Sequence, residues 1–238
     1  MHRRARHLNA RDAGATMVLD ARFISGSDGD AIGTWSSRTS STYDMTQATT
    51  ANKPLLKLGA NGINGQAAVK FDGTNDYMTG ANEAINTCSF FAATYSSGAA
   101  SYRNLFGRGS NMGFIRDFIL ITENQANKIL TNRSNGSSFP TATSSDFTQG
   151  NHVVYGDYDG TNLGCRVDLK TKATAAGVSA GANQSWDLGS LNDYTSGRQY
   201  WWDSNVGSVV FFKNSVVTSS VEKRITHSLA YSFKIACS

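Results

Sequence analysis

The chain has 238 residues, 39% of them hydrophobic and 17% charged, with 23 glycines, two prolines and a net charge of +4. That length holds one sizeable β domain or two small ones, and an aromatic content of 11% sets intrinsic disorder aside. The longest apolar runs are four residues, among them Phe118–Ile121 and Val209–Phe212; a membrane-spanning helix needs about 20, so no membrane partner is expected.

Residues 1–16 carry no core pattern. Arg3, Arg4, Arg6 and Arg11 are opposed there only by Asp12, a net +3 that makes up most of the chain's excess. The basic start runs into Asn9-Ala10-Arg11-Asp12, where a secretion signal places about 7–15 apolar residues. Synthesis and folding in the cytoplasm are therefore expected. The four arginines lack interleaved aromatics and the rest of the chain is nearly neutral. This argues against nucleic acid and for an extended tether that anchors on a neighbouring subunit, with a disordered terminus as the alternative.

From Met17 onward the rhythm is strand and turn. Met17–Leu19 reads as a short strand, Ser27–Asp30 as a turn, and residues 36–53 as a Ser- and Thr-rich surface loop. Asn61-Gly62 and Asn64-Gly65 are tight-turn pairs ahead of a strand over Ala67–Phe71, and Asp72–Asp76 turns the chain again. Strands follow at Cys88–Thr94, at Phe114–Ile121 with Arg116 and Asp117 toward solvent, and at Lys128–Asn132. Val153–Tyr158 alternates as a half-buried strand does. Asp159-Gly160 supplies a two-residue hairpin turn and Leu163–Leu169 returns antiparallel. Gly207–Phe212 is a buried strand. Ser219-Ser220-Val221-Glu222 matches a capping box, with Ser219 as N-cap and Glu222 reaching back. It opens a helix over about 219–231, with Val221, Ile225 and Leu229 on one face. Many short strands at roughly ten-residue spacing predict an all-β sandwich or barrel over residues 17–238, with the helix on its surface. Cys88, Cys165 and Cys237 are far apart, odd in number and without a C-x-x-C spacing, which speaks against a disulfide framework or a zinc site.

Leu19-Asp20-Ala21-Arg22, Asp28-Gly29-Asp30-Ala31 with Thr34-Trp35, Gln47-Ala48-Thr49, and the run from Asn64-Gly65-Gln66 through Phe71-Asp72-Gly73-Thr74-Asn75-Asp76-Tyr77 together resemble the opening of concanavalin A-like (LamG-type) jelly-roll domains of bacterial and bacteriophage proteins. Tyr158-Asp159-Gly160-Thr161-Asn162-Leu163 is similar to their central hairpin. Gly207–Asn214 and the capped helix are similar to their closing strand and helix, and Tyr231–Ile235 resembles the ending of phage-encoded members. The resemblance covers residues 17–235. It implies an all-β, concanavalin A-like jelly-roll β-sandwich with an N-terminal extended arm and one C-terminal surface helix. The fold hosts lectins, glycosidases and inert modules alike.

Glycosidases of this superfamily cluster Glu and Asp on one strand, and their mechanism needs two carboxyls about 5–9.5 Å apart. Glu83, Glu123 and Glu222 are the only glutamates, none with an acidic neighbour within two positions, and Asp157 and Asp159 are read as strand and turn residues. No G-x-S-x-G, H-E-x-x-H or P-loop pattern is present. An enzyme is not expected. Relatives of the resembled family bind Ca²⁺ through loop oxygens, for which Asp72, Asn75 and Asp76, or Asp157, Asp159 and Asn162, are candidates. The turn-forming role of these residues is preferred, so no metal or other cofactor is expected. Tyr200-Trp201-Trp202 is the best candidate surface for glycan or partner contact. Adjacent strand residues point to opposite faces, so Trp201 and Trp202 cannot both be core in a regular strand.

The expected role is a non-catalytic bacteriophage virion structural protein: a capsid decoration, head-fibre or tail component. Its expected partners are major capsid or tail subunits and further copies of itself in an oligomer or lattice. Arg3, Arg4, Arg6 and Arg11 would anchor it. The alternative is a carbohydrate-binding lectin module for host or glycan attachment.

Overall fold

Side chains alternate between the two faces of a strand, so an unbroken apolar run is stable only where both faces are covered. A computed structural model describes residues 10–237 apart from 12, 84, 99–101, 108–118, 124–127, 134–137, 139, 145, 179–183 and 194–196, and for 119–123, 184 and 193 the backbone alone. The early strands are β1 (Met17–Asp20), β2 (Thr34–Trp35), β3 (Met45–Thr46), β4 (Leu55–Lys57), β5 (Ala68–Lys70), β6 (Met78–Glu83), β7 (Cys88–Ser96), β8 (Arg103–Gly107) and β9 (Ile119–Glu123). The later ones are β10 (Ile129–Asn132), β11 (Thr141–Ser144), β12 (Gly150–Tyr158), β13 (Asn162–Val167), β14 (Ala173–Ala176), β15 (Gln184–Leu188), β16 (Leu191–Asp193), β17 (Gly197–Gln199) and β18 (Asn205–Lys213). One α-helix, α1 (Ser219–Phe233), closes the described chain.

The strands form an antiparallel jelly-roll sandwich. The first sheet runs β14-β13-β12-β7-β18-β5-β4, with β1 also paired to β18 (Met17 opposite Phe211). The second runs β11-β10-β9-β8-β15-β6-β3-β2, and β16 and β17 make a separate two-stranded ribbon. Between the sheets lies a core that includes Leu19, Trp35, Phe90, Ala92, Phe106, Val154, Trp186, Trp202, Val209 and Phe211. The Phe106 ring stacks on Trp186 at 4.8 Å and 4°. The intervening residues of the same strands, Val18, Phe91, Ala93, Val153, Tyr155, Val210 and Phe212, form a second apolar layer with Ile225, Leu229, Ala230 and Phe233 of α1. The first sheet is thus covered on both faces, which is why its central strands read as continuous apolar runs. Each such fully buried Ile, Leu or Phe contributes about 1.5–3 kcal/mol.

The helix starts one residue earlier than the capping box implies. Thr218 is the N-cap, and its hydroxyl accepts from Val221 N at 3.5 Å. Glu222 therefore falls one position too late to reach back. It is buried against the first sheet, its Oε1 2.7 Å from Arg166 Nη2. Lys234, at φ +53, ends the helix and returns its N–H to Ala230 and Tyr231. The hairpin turn is also displaced by one residue. Asp159 N donates to Asn162 O, so Gly160 and Thr161 are the central pair, with Gly160 at φ +98. The Asp159 carboxylate braces the turn by accepting from Thr161 N and Asn162 N. Of the strand expected over Phe114–Ile121, residues 114–118, with Arg116 and Asp117, lie outside the described residues. The loop expected over 36–53 contains the short strand β3, which pairs with β2 and β6.

Candidate functional site

The segment joining β17 to β18 sorts the aromatic cluster. Tyr200 has φ +56, an outlier for a bulky residue. Its carbonyl accepts from Asn104 N at 2.6 Å, and Trp202 N donates to Gly189 O at 2.8 Å. Trp202 is driven fully into the core at 0% exposure, so it makes no outward contact, and its indole N–H finds no partner among the described residues. Trp201 stays half-buried, 6.2 Å from the Tyr77 ring, over which the Arg198 guanidinium lies at 3.5 Å. Tyr200, also half-buried, meets the Tyr102 ring edge-on at 6.0 Å and 68°. Of the expected anchoring residues, Arg3, Arg4 and Arg6 lie outside the described residues. Arg11 is exposed in a turn closed by Gly14 N donating to its carbonyl.

Immediately after Trp202, the residues Asp203, Ser204 and Asn205 line an open cleft of about 470 Å³. Its floor comes from neighbouring strands of the first sheet. Asn151 of β12 is in register with Tyr95 of β7, and Asn205 of β18 with Lys70 of β5. By alternation all four belong to the face that α1 covers further along, where Ala93, Val153 and Ala68 take the equivalent apolar positions. The cleft opens where the helix stops. Asn64 marks that border, donating from Nδ2 to Phe233 O and Lys234 O and accepting from Asn151 Nδ2 at 2.9 Å.

One wall is tied by Arg103, whose Nη1 donates to Ser97 Oγ at 2.6 Å and whose Nη2 lies 3.3 Å from Asp203 Oδ2. Gly73 lies against Asp203, close enough that a Cβ there would touch the Asp203 Cβ, and its N–H donates to Trp202 O. Lys70 has no ion pair among the described residues. The cleft therefore offers an ammonium, a carboxylate, carboxamides, the Ser97 and Tyr95 hydroxyls, and one aromatic ring. A mixture of donors and acceptors beside an aromatic side chain suits a polyhydroxylated ring.

The turn below this wall explains the first calcium candidate. Asp72 Oδ1 accepts from Thr74, Asn75 and Asp76 N–H groups, and Asp76 Oδ2 accepts from Asp72 N. Burial, then the Asp72 charge, push the Asp76 carboxyl up to about 7. In the second candidate set Asp157 is buried and held by the Tyr155 hydroxyl at 2.7 Å and Lys172 Nζ at 2.5 Å, while Asp159 braces its turn. Among the described residues no three His, Cys, Asp or Glu side chains are grouped to hold a metal ion.

Asp157, Tyr155, Arg166 and Glu222 form a buried polar island beneath the first turn of α1. Burial raises the Glu222 carboxyl even beside Arg166. His152, also buried, bonds Asp168 through Nδ1 at 2.9 Å and Thr148 O through Nε2 at 2.8 Å. Reading single residues could not locate the cleft. The available signal was the switch from apolar to polar on one strand face, from Ala93 to Tyr95 and from Val153 to Asn151.

No protein-family model and no curated protein sequence matches the chain. Solved structures share its fold. The Trypanosoma rangeli sialidase in complex with 2,3-difluoro-KDN superposes with a TM-score of 0.54 at 13% identity, over 92% of this chain and 33% of that one. The Ruminococcus gnavus IT-sialidase CBM40 bound to alpha2,3 sialyllactose superposes with a TM-score of 0.52 at 12% identity, over 67% of this chain and 95% of that one. The K499G mutant of NanB sialidase from Streptococcus pneumoniae gives 0.51 at 11%, over 66% and 27%. The chain thus spans about a third or less of the sialidases it matches, and the likeness is one of fold.

Proposed function

We propose that the chain is a non-catalytic glycan-binding β-sandwich module whose ligand sits in the cleft between Lys70 and Asp203. The observation that carries this is the cleft itself: about 470 Å³, within the roughly 300–1,000 Å³ of small-ligand sites, and lined by mixed donors and acceptors beside Tyr95. The shared fold of a CBM40 domain seen with sialyllactose supports the same ligand class. A binding role, as opposed to hydrolysis, is supported by the carboxylate inventory. Asp203 is the one carboxylate lining the cleft among the described residues, it is engaged by Arg103, and glycoside hydrolysis uses two. This reading is compatible with the virion role expected from the arm, the sandwich and the ending, since a decoration that binds glycans would carry the same cleft; Arg3, Arg4 and Arg6 lie outside the described residues.

The test is a glycan array followed by calorimetric titration of the retained glycan. The double variant Lys70→Ala/Asn151→Ala removes one charged and one neutral partner, and is expected to weaken binding about tenfold or more, with no more than the small loss of melting temperature that the exposed Asn151–Asn64 bond accounts for. No retained glycan, or binding indifferent to the double variant, overturns the proposal.

A further inference from the structure

Tyr102 is one of three large apolar side chains that stand well exposed among the described residues, at 54%. It adjoins Arg103, one Cα step of about 3.8 Å away, and Arg103 reaches the two cleft groups Ser97 and Asp203. Its ring is met edge-on by Tyr200, three residues before Asp203. The aromatic pair and the cleft wall are thus built from the same two segments. Tyr200 holds its positive φ beside two backbone hydrogen bonds just past its Cα, from Asn104 N to its own carbonyl and from Trp202 N to Gly189 O. Strain held in place by its surroundings is a mark of a functional position. Tyrosine side chains offer a broad, amphipathic contact at small entropic cost.

We infer that the site reads an oligosaccharide: one sugar unit occupies the cleft and the next stacks on the Tyr102–Tyr200 pair. This rests on the glycan-binding reading and adds chain length and a second subsite to it. The cleft supplies polar recognition, and the aromatic pair supplies the apolar face that a pyranose presents through its C–H groups.

The experiment titrates the folded chain with galactose, N-acetylneuraminic acid, lactose and α2,3-sialyllactose, and repeats the series on Tyr102→Ala, Tyr102→Phe and Asp203→Ala. The expected result is a gain of about five- to tenfold from a monosaccharide to its oligosaccharide. Tyr102→Ala should lose most of that gain while leaving the monosaccharide within about twofold, Tyr102→Phe should keep the gain, and Asp203→Ala should weaken every probe. Binding that responds to Asp203→Ala but not to chain length or Tyr102 overturns the second subsite and leaves the glycan reading standing. Absence of binding by all four probes overturns both.

Discussion

Asp76 is buried in a turn that it shares with Asp72, and burying it there has a thermodynamic sign. An unfolded aspartate titrates near about 3.9, whereas folded Asp76 is pushed up to about 7. Between those values the folded chain binds the extra proton. This group's stabilising contribution is therefore complete below about 3.9 and is lost as the pH rises through about 7. Asp76→Asn keeps an oxygen for the Asp72 N–H and removes the titration. Thermal melts from pH 4 to 8 should show the variant more stable than wild type at pH 8 and convergent with it near pH 4. An unchanged difference across that range would rule the account out. Trp201 and Trp202 teach a related lesson. The two adjacent tryptophans part, one inward and one half-buried, although neither lies in a strand; the positive φ at Tyr200 just before them redirects the chain, and nothing in Tyr200's identity announces it.

At the scale of elements, the first turn of α1 is joined to β13 by the buried Arg166–Glu222 pair. Removing one member alone leaves an uncompensated buried charge, at a cost of about 3–5 kcal/mol, whereas an apolar pair of similar volume is close to neutral. Arg166→Met and Glu222→Leu should each lower stability in urea unfolding, and the double variant should recover most of the loss. Strictly additive losses would show that the pair is not coupled. Elements were legible where one strong local pattern decides them. The Val209–Phe212 run, the hairpin around Gly160 and the helix face carrying Ile225 and Leu229 are of this kind. Short strands such as β3, β16 and β17 have only two or three residues and no period to read. The capping motif was off by one because Thr218 and Ser219 are both good N-caps, and packing against the sheet chose between them.

The whole molecule depends on α1 as a cover. Without it, Phe91, Tyr155, Val210 and Phe212 would face water as one apolar surface. A chain ended after Val216 should bind a hydrophobic dye and self-associate, as light scattering would report. A monomeric truncated chain with a cooperative melt would contradict this. The same helix bounds the cleft through Asn64, so the cleft and the cover are parts of one arrangement. That arrangement was the least legible in the sequence. Lys70, Tyr95, Asn151 and Asn205 are isolated polar residues on four strands, brought side by side only by the sheet order β12-β7-β18-β5.

The sorting of the tryptophans also equips the protein with an internal optical probe. Trp35, Trp186 and Trp202 are at 1%, 4% and 0% exposure, while Trp201 alone of the four is half-exposed, two residues from Asp203. Emission from the three buried indoles is shielded from a water-borne quencher such as acrylamide. The quenchable fraction therefore reports on Trp201, so a ligand entering the neighbouring cleft would be followed by fluorescence without attaching a label.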